Sequence, residues 1–133
     1  MGASVITQTF YNLGNIRKVA FDCTANSSAG TFTSVALTQS IEGRLLQIVT
    51  NPGSPAPDAN WDITLLNQHS VDMLLSCGLN RHTSTSEVAN IVYDVDGSAH
   101  PYVTKDDTLT LAISGTTNNS AKTVIELYYG LGG

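Results

Sequence analysis

Apolar and polar residues alternate with a period of two along most of this 133-residue chain, in short runs closed by turn-forming residues. Ser4 to Tyr11, SVITQTFY, is β-branched and aromatic, as strands prefer. From Arg17 to Thr24 the alternation sets Val19, Phe21 and Cys23 on one face and Lys18, Ala20 and Asp22 on the other. Asn26 to Gly30, NSSAG, is a turn cluster, and Thr31 to Thr38 reads as the next strand. Gly43 to Thr50 places Leu46 and Ile48 together, with Leu45 and Val49 opposite. Trp61, Ile63 and Leu65 alternate with Asp62, Thr64 and Leu66, which makes Trp61 a core residue. Leu109, Leu111 and Ile113 alternate with Thr108, Thr110 and Ala112, and the last strand, Thr123 to Tyr129, is apolar on both sides except at Glu126.

The breaks are as informative as the runs. Pro52, Pro55 and Pro57 each remove a ladder donor and fix φ, so Asn51 to Asn60 is a stiff connector that delivers Trp61 to the next strand. Asn67 to Asp72, NQHSVD, turns the chain back on WDITLL in the manner of a hairpin. Val71 to Cys77 fits one helical turn or a two-sided strand, and strand is the expectation; Thr83 to Asn90 is polar and reads as loop. About eight strands with turns roughly every 8–15 residues predict an all-β protein, an antiparallel β-sandwich or jelly roll, in one domain spanning residues 1–133.

Composition narrows the function classes. Six basic residues stand against eleven acidic ones, a formal charge of −5, and no run of Lys or Arg occurs. Counterion release on nucleic acid needs clustered positive charge, so neither DNA nor RNA is expected as a partner. The apolar runs are too short to span a bilayer, the start MGASVITQTF lacks the basic and apolar regions of a secretory signal, and Ile6 stands where myristoylation wants Ser or Thr. No membrane partner is expected. Synthesis in a reducing cytoplasm is expected, which favours free thiols at Cys23 and Cys77 over a bridge.

No catalytic or cofactor motif stands out. His69 and Asp72 are near enough in sequence to orient each other, with Ser70 or Ser76 as a nucleophile, but there is no G-x-S-x-G elbow. Asp94, Asp96 and Gly97 start like a calcium loop, which fails for lack of a third ligand before the glycine and of a Glu six places after it. Cys77, His82 and His100 lack zinc-site spacing, and no phosphate-binding Gly-Lys loop is present. The expectation is a protein that is not an enzyme and uses no metal or cofactor.

From about Ile41 to Tyr129 the order of elements resembles a family of small virion proteins of tailed phages, the head decoration or cement proteins. The matching pieces are IEGRLLQIVTNPGSPAP, WDITLLNQHSVDMLL, GLNR, PYVTKDDTLTLAISG and NNSAKTVIELYY. They cover about two-thirds of the chain, and His69 departs from the pattern where a small turn residue is expected. The resemblance implies a structural protein on the capsid exterior, partnered by the phage major capsid protein and present as a homo-oligomer, dimer or trimer. An acidic chain suits the outside of the shell better than a position facing packaged DNA. Residues 1–15 are a candidate contact arm that adds to a neighbour's sheet edge, with an ordinary first strand as the alternative. The candidate partner-binding residues are Val5, Ile6, Phe10 and Tyr11 on that segment, and Tyr129 and Leu131 at the other terminus. A second expectation is a carbohydrate- or receptor-binding module on a phage tail or fibre, stacking sugars on Trp61 or the tyrosines; a small hydrolase is a third.

Overall fold

Two antiparallel sheets enclose one core. The computed structural model describes residues 3–92 and 99–131. Its strands are β1 (Val5–Leu13), β2 (Ile16–Thr24), β3 (Val35–Ala36), β4 (Gly43–Pro52), β5 (Asp62–Leu66), β6 (Glu87–Asn90), β7 (Tyr102–Val103), β8 (Thr110–Ser114) and β9 (Lys122–Gly130). The larger sheet runs β1-β2-β9-β4-β6, with β7 pairing the start of β4; the smaller runs β3-β8-β5. The described residues form a β-sandwich of nine strands. Its accessible surface, 6707 Å², matches the roughly 6,700 Å² that size scaling gives for this mass.

The core follows the period-two reading where the strands are long. Val19, Phe21 and Cys23 from β2 and Ile125, Leu127 and Tyr129 from β9 meet Ile63 and Leu65 from β5 and Leu111 and Ile113 from β8. Trp61 is fully buried at the entry to β5. Its Nε1 donates to the carbonyl of His82 at 3.1 Å, so the one polar atom of the ring has a partner.

Four segments differ from the sequence reading, each for a local reason. In β4 the register with β9 shifts between Leu45 and Gln47. This bulge turns Leu45 inward beside Ile48, while Leu46 stays half-buried. Thr31 to Thr38 yields only the two-residue β3, because side chains of β1 and its lead-in take its backbone groups. Thr33 N–H donates to Ser4 Oγ, Thr38 N–H to Gln8 Oε1, and Gln8 Nε2 donates to the Ala36 carbonyl. Thr83 to Asn90, expected as loop, contains β6, a short edge strand that pairs with β4 from Gln47 to Thr50; with one face in solvent it has no need of apolar alternation.

Val71 to Cys77 is neither strand nor helix but a chain of turns, with Leu75 and Ser76 at positive φ. Asp72 imposes them. One carboxylate oxygen accepts from the backbone N–H of Leu65 and Leu74, and the other from that of Ser76. The segment then runs beside β5 and covers its open edge, with Met73 N–H bonded to the Leu65 carbonyl, Ile63 N–H to Gly78, and Arg81 N–H to Trp61. The NQHSVD reversal is present as read, held by Asn67 Oδ1, which accepts from the N–H groups of His69 and Val71.

The proline connector leaves β4 at Pro52, with a cis peptide at Ser54–Pro55. Asp58 anchors it, accepting from the Thr117 backbone and hydroxyl and from Asn118 N–H. These bonds, the Thr117 hydroxyl's first, hold its carboxyl below the usual range.

Replacing Asp72 with Ala removes a buried-side acceptor for three backbone donors and is expected to destabilise the fold by about 2–3 kcal/mol. Asn, which keeps one oxygen, is expected to cost less; urea denaturation of both variants checks the order.

A candidate interaction face at the hairpin end of the sandwich

Gly14 and Asn15 close the β1–β2 hairpin in a two-residue turn, Gly14 taking φ 91°, a value open to a residue without Cβ. The pair Leu13↔Ile16 therefore sits at the extreme end of the large sheet. The ladder continues across as Ile16↔Gly130 and Gly130↔Arg44. Leu13, Ile16 and Leu131 are 57%, 41% and 43% exposed, values unusual enough for large apolar residues side by side to mark a surface. Beside them Asn15, Ile16, Arg44, Leu46, Gly130 and Leu131 line a shallow depression of about 220 Å³. Gly130 lies on its floor, between Leu46 and Ile16.

One row further in, Tyr11, Lys18 and Tyr128 stand abreast on the outer face. The Lys18 ammonium lies 4.6 Å from the Tyr11 ring centre and 5.6 Å from that of Tyr128, and 3.2 Å from Glu126 Oε2. The bond to Glu126 and the neighbouring charges raise its pKa above the usual lysine value. The cation lies over both rings, which form an aromatic ridge beside the apolar end.

The inner side of the same end carries Arg17. Phe10, Tyr11, Asn12, Gln39, Ser40 and Tyr129 surround it in a cleft of about 170 Å³. Its Nε is buried with no hydrogen-bond partner among the described residues. A second cleft of about 190 Å³, shared with Glu42, Lys105 and Leu131, opens on its other side. Neither Arg17 nor Arg44 has a carboxylate within ion-pair distance among the described residues. Basic residues scattered in sequence are thus gathered in space: Arg17, Lys18, Arg44 and Lys105, four of the six, lie at this end.

The structure brings some of the expected contact residues here and directs others elsewhere. Tyr11 and Leu131 belong to this end and are exposed. Val5 is exposed at the opposite end of β1. Ile6 and Phe10 turn inward and pack on the core, and Tyr129 is buried at 6% exposure, so Tyr128 takes the outward place expected of it. Burial pushes the Tyr129 hydroxyl upward, against the opposing pull of Arg17. Residues 5–13 are no detached arm, for β1 pairs with β2 along its whole length. Leu13, Ile16, Arg17, Lys18 and Arg44 were missed. Their signal was the hairpin register, which puts residues flanking Gly14–Asn15 at a sheet end whatever their spacing implies.

The candidate chemical groups serve loop architecture. Asp72 bonds backbone rather than His69. His82 Nδ1 accepts from Ser84 and Thr85 N–H, and His100 Nδ1 bonds the Ile91 carbonyl at 2.6 Å. Asp94, Asp96 and Gly97 lie outside the described residues, and among those described no three metal-ligating side chains gather. Cys23 and Cys77 are separate free thiols, Cys23 in the core and Cys77 in the turn segment. No family model, no curated protein and no solved structure matches this chain.

Burial pushes the Cys23 thiol from 9.0 up to about 12. The native state then holds its proton while the unfolded chain loses it, so stability falls as pH rises from about 9 towards 12, with a slope approaching ~1.4 kcal/mol per unit. Lys18, also raised, adds to the decline above its ordinary range. Urea midpoints measured from pH 8 to 11 are expected to drop for the parent and to flatten for Cys23→Ala.

Proposed function

We propose that the chain is a structural virion protein that docks on the outer surface of a tailed-phage capsid and reinforces contacts between major capsid protein subunits. The observation that carries this reading is the hairpin end: apolar Leu13, Ile16, Leu46 and Leu131 at the same end as Arg17 and Arg44, two cations with no carboxylate at ion-pair distance among the described residues. An apolar centre within a charged rim is the anatomy of a protein–protein contact. The partner surface it fits is apolar at its centre and acidic at its edge.

Adhesion asks for a stiff body, and the sandwich supplies one. The resemblance of Ile41 to Tyr129 to decoration proteins points the same way. Local charge at this end is offset by Glu126 and Glu42, too little net excess for a phosphate backbone. The glycan-binding reading loses its best residue, since Trp61 lies wholly in the core, and no observation favours it over adhesion.

Adding purified protein to phage heads stripped of it is expected to raise the temperature at which the shells release DNA. Leu13→Asp, at an exposed site, is expected to weaken head binding tenfold or more, which is the loss of a single contact of ~1.4 kcal/mol or above. Val88→Asp, 63% exposed on the far edge of the same sheet, is expected to bind like the parent. Native heads that carry no copy of the chain, or Leu13→Asp heads as heat-resistant as the parent's, would sink the proposal.

A further inference from the structure

The two-residue turn also decides which backbone groups of β1 are free. In such a hairpin the pair next to the turn, Leu13↔Ile16, is hydrogen-bonded, so the odd-numbered residues of β1 bond β2. The N–H and C=O groups of Ile6, Gln8, Phe10 and Asn12 point to the outer edge, where no strand pairs with β1. Among the described residues no other backbone bond reaches them either.

Open edges of this length are normally guarded by a lysine, a proline or a bulge. β1 has none: its nine residues, VITQTFYNL, carry no charge and no proline, and its register with β2 is unbroken. The remaining edges are short or covered. β6 has four residues and begins with Glu87, β3 has two, and β5 is sheathed by the segment from Asp72 to Arg81. Among the described residues, β1 is the one long edge left unguarded.

We infer that this edge pairs with the same edge of a second copy, β1 against β1, antiparallel about a two-fold axis at Thr9. A second copy is the occupant the residues favour. In the register centred on Thr9, Ile6 faces Asn12 and Gln8 faces Phe10, so all four outward-facing residues of each strand meet outward-facing partners, with roughly eight interchain backbone bonds. On the exposed face Thr9 meets Thr9, Thr7 meets Tyr11, and Val5 meets Leu13, pairings of β-branched, aromatic and apolar residues that stabilise sheets. The uncharged strand also lets two chains of formal charge −5 approach without like charges across the seam. The shift by one two-residue step in either direction leaves donors at one end unpaired. Nine residues a side make a small contact, near the roughly 1,200 Å² below which protein interfaces become transient, so dissociation in the micromolar range follows.

The pair has a consequence that rests on the capsid reading. Antiparallel seating sends the two hairpin ends in opposite directions from the axis, so one dimer offers two adhesive ends and can bridge two neighbouring capsomers with the gain in avidity that bridging brings.

The test uses the purified chain without capsid, so its failure leaves the reading of the hairpin end standing, and failed head binding leaves the dimer standing. Sedimentation equilibrium from 1 to 200 µM is expected to show a monomer–dimer equilibrium, weakened at least tenfold by Thr9→Lys, which sets two ammonium groups against each other. In a Cys77→Ser background, Thr9→Cys is expected to oxidise to a covalent dimer at least tenfold faster than Thr7→Cys. Only at Thr9 does a residue meet itself in a non-hydrogen-bonded pair, about 4.5 Å between Cα atoms and within disulfide reach. A monomer throughout the range, a trimer, or equal rates at positions 7 and 9 overturns the inference. Circular dichroism on Thr9→Lys separates lost pairing from lost folding.

Discussion

The structure depends on β9 being held on both sides. The strand from Lys122 to Gly130 pairs with β2 along one edge and with β4 along the other, and nothing else joins the β1–β2 hairpin to the β4, β6 and β7 group within the large sheet. Its inward residues, Thr123, Ile125, Leu127 and Tyr129, are all buried. Each ladder bond and each apolar contact made here is long-range in sequence, so the closure entropy of most of the chain is met in one step. The connections reinforce this interdependence: the chain passes from sheet to sheet at β2–β3, β3–β4, β4–β5, β5–β6, β7–β8 and β8–β9. Neither sheet can form while the other is absent.

Because few residues are charged, polar side chains rather than ion pairs fix the loops. Asp72, Asp58 and Asn67 each accept two or three backbone N–H bonds, and the His82 ring does the same for its own turn. Loops anchored this way are tied down by their own side chains. The side-chain groups that sequence reading singled out in Asp72 and His82 are engaged with backbone, and the candidate surfaces for a partner lie on the sheet, at its hairpin end and along the β1 edge.

The strands that bury one face were legible from the chain alone. Val19, Phe21 and Cys23, Trp61, Ile63 and Leu65, and Leu111 with Ile113 reached the core as their alternation required, because a period of two admits only one arrangement once one side is apolar. Legibility failed where a side chain in one segment overrode the pattern in another. Gln8 and Ser4 hold Thr31 to Thr38 out of a full ladder, Asp72 bends Val71 to Cys77 into turns, and the bulge at Leu45 shifts β4 by a residue. The candidate interaction face was hidden for a related reason. Arg17 and Arg44 are 27 residues apart, and only the joint register of β2, β9 and β4 brings them to the same end of the sheet; no window along the sequence contains that fact.

The two ends of the large sheet are also the two ends of the chain. Val5 pairs with Thr24, which pairs with Lys122, whereas Gly130 lies in the row of Ile16 and Arg44. Eight residue steps separate these rows, roughly 27 Å at the rise of an extended chain. A peptide or enzyme grafted ahead of Val5 would emerge on the side remote from Leu13 and Leu131 of its own subunit, yet the proposed β1–β1 pairing would bring it beside the partner subunit's Leu13. One grafted after Leu131 would sit on the proposed docking end of its own subunit. As a scaffold for presenting foreign cargo, the molecule would need a linker at Val5 long enough to clear the paired edge.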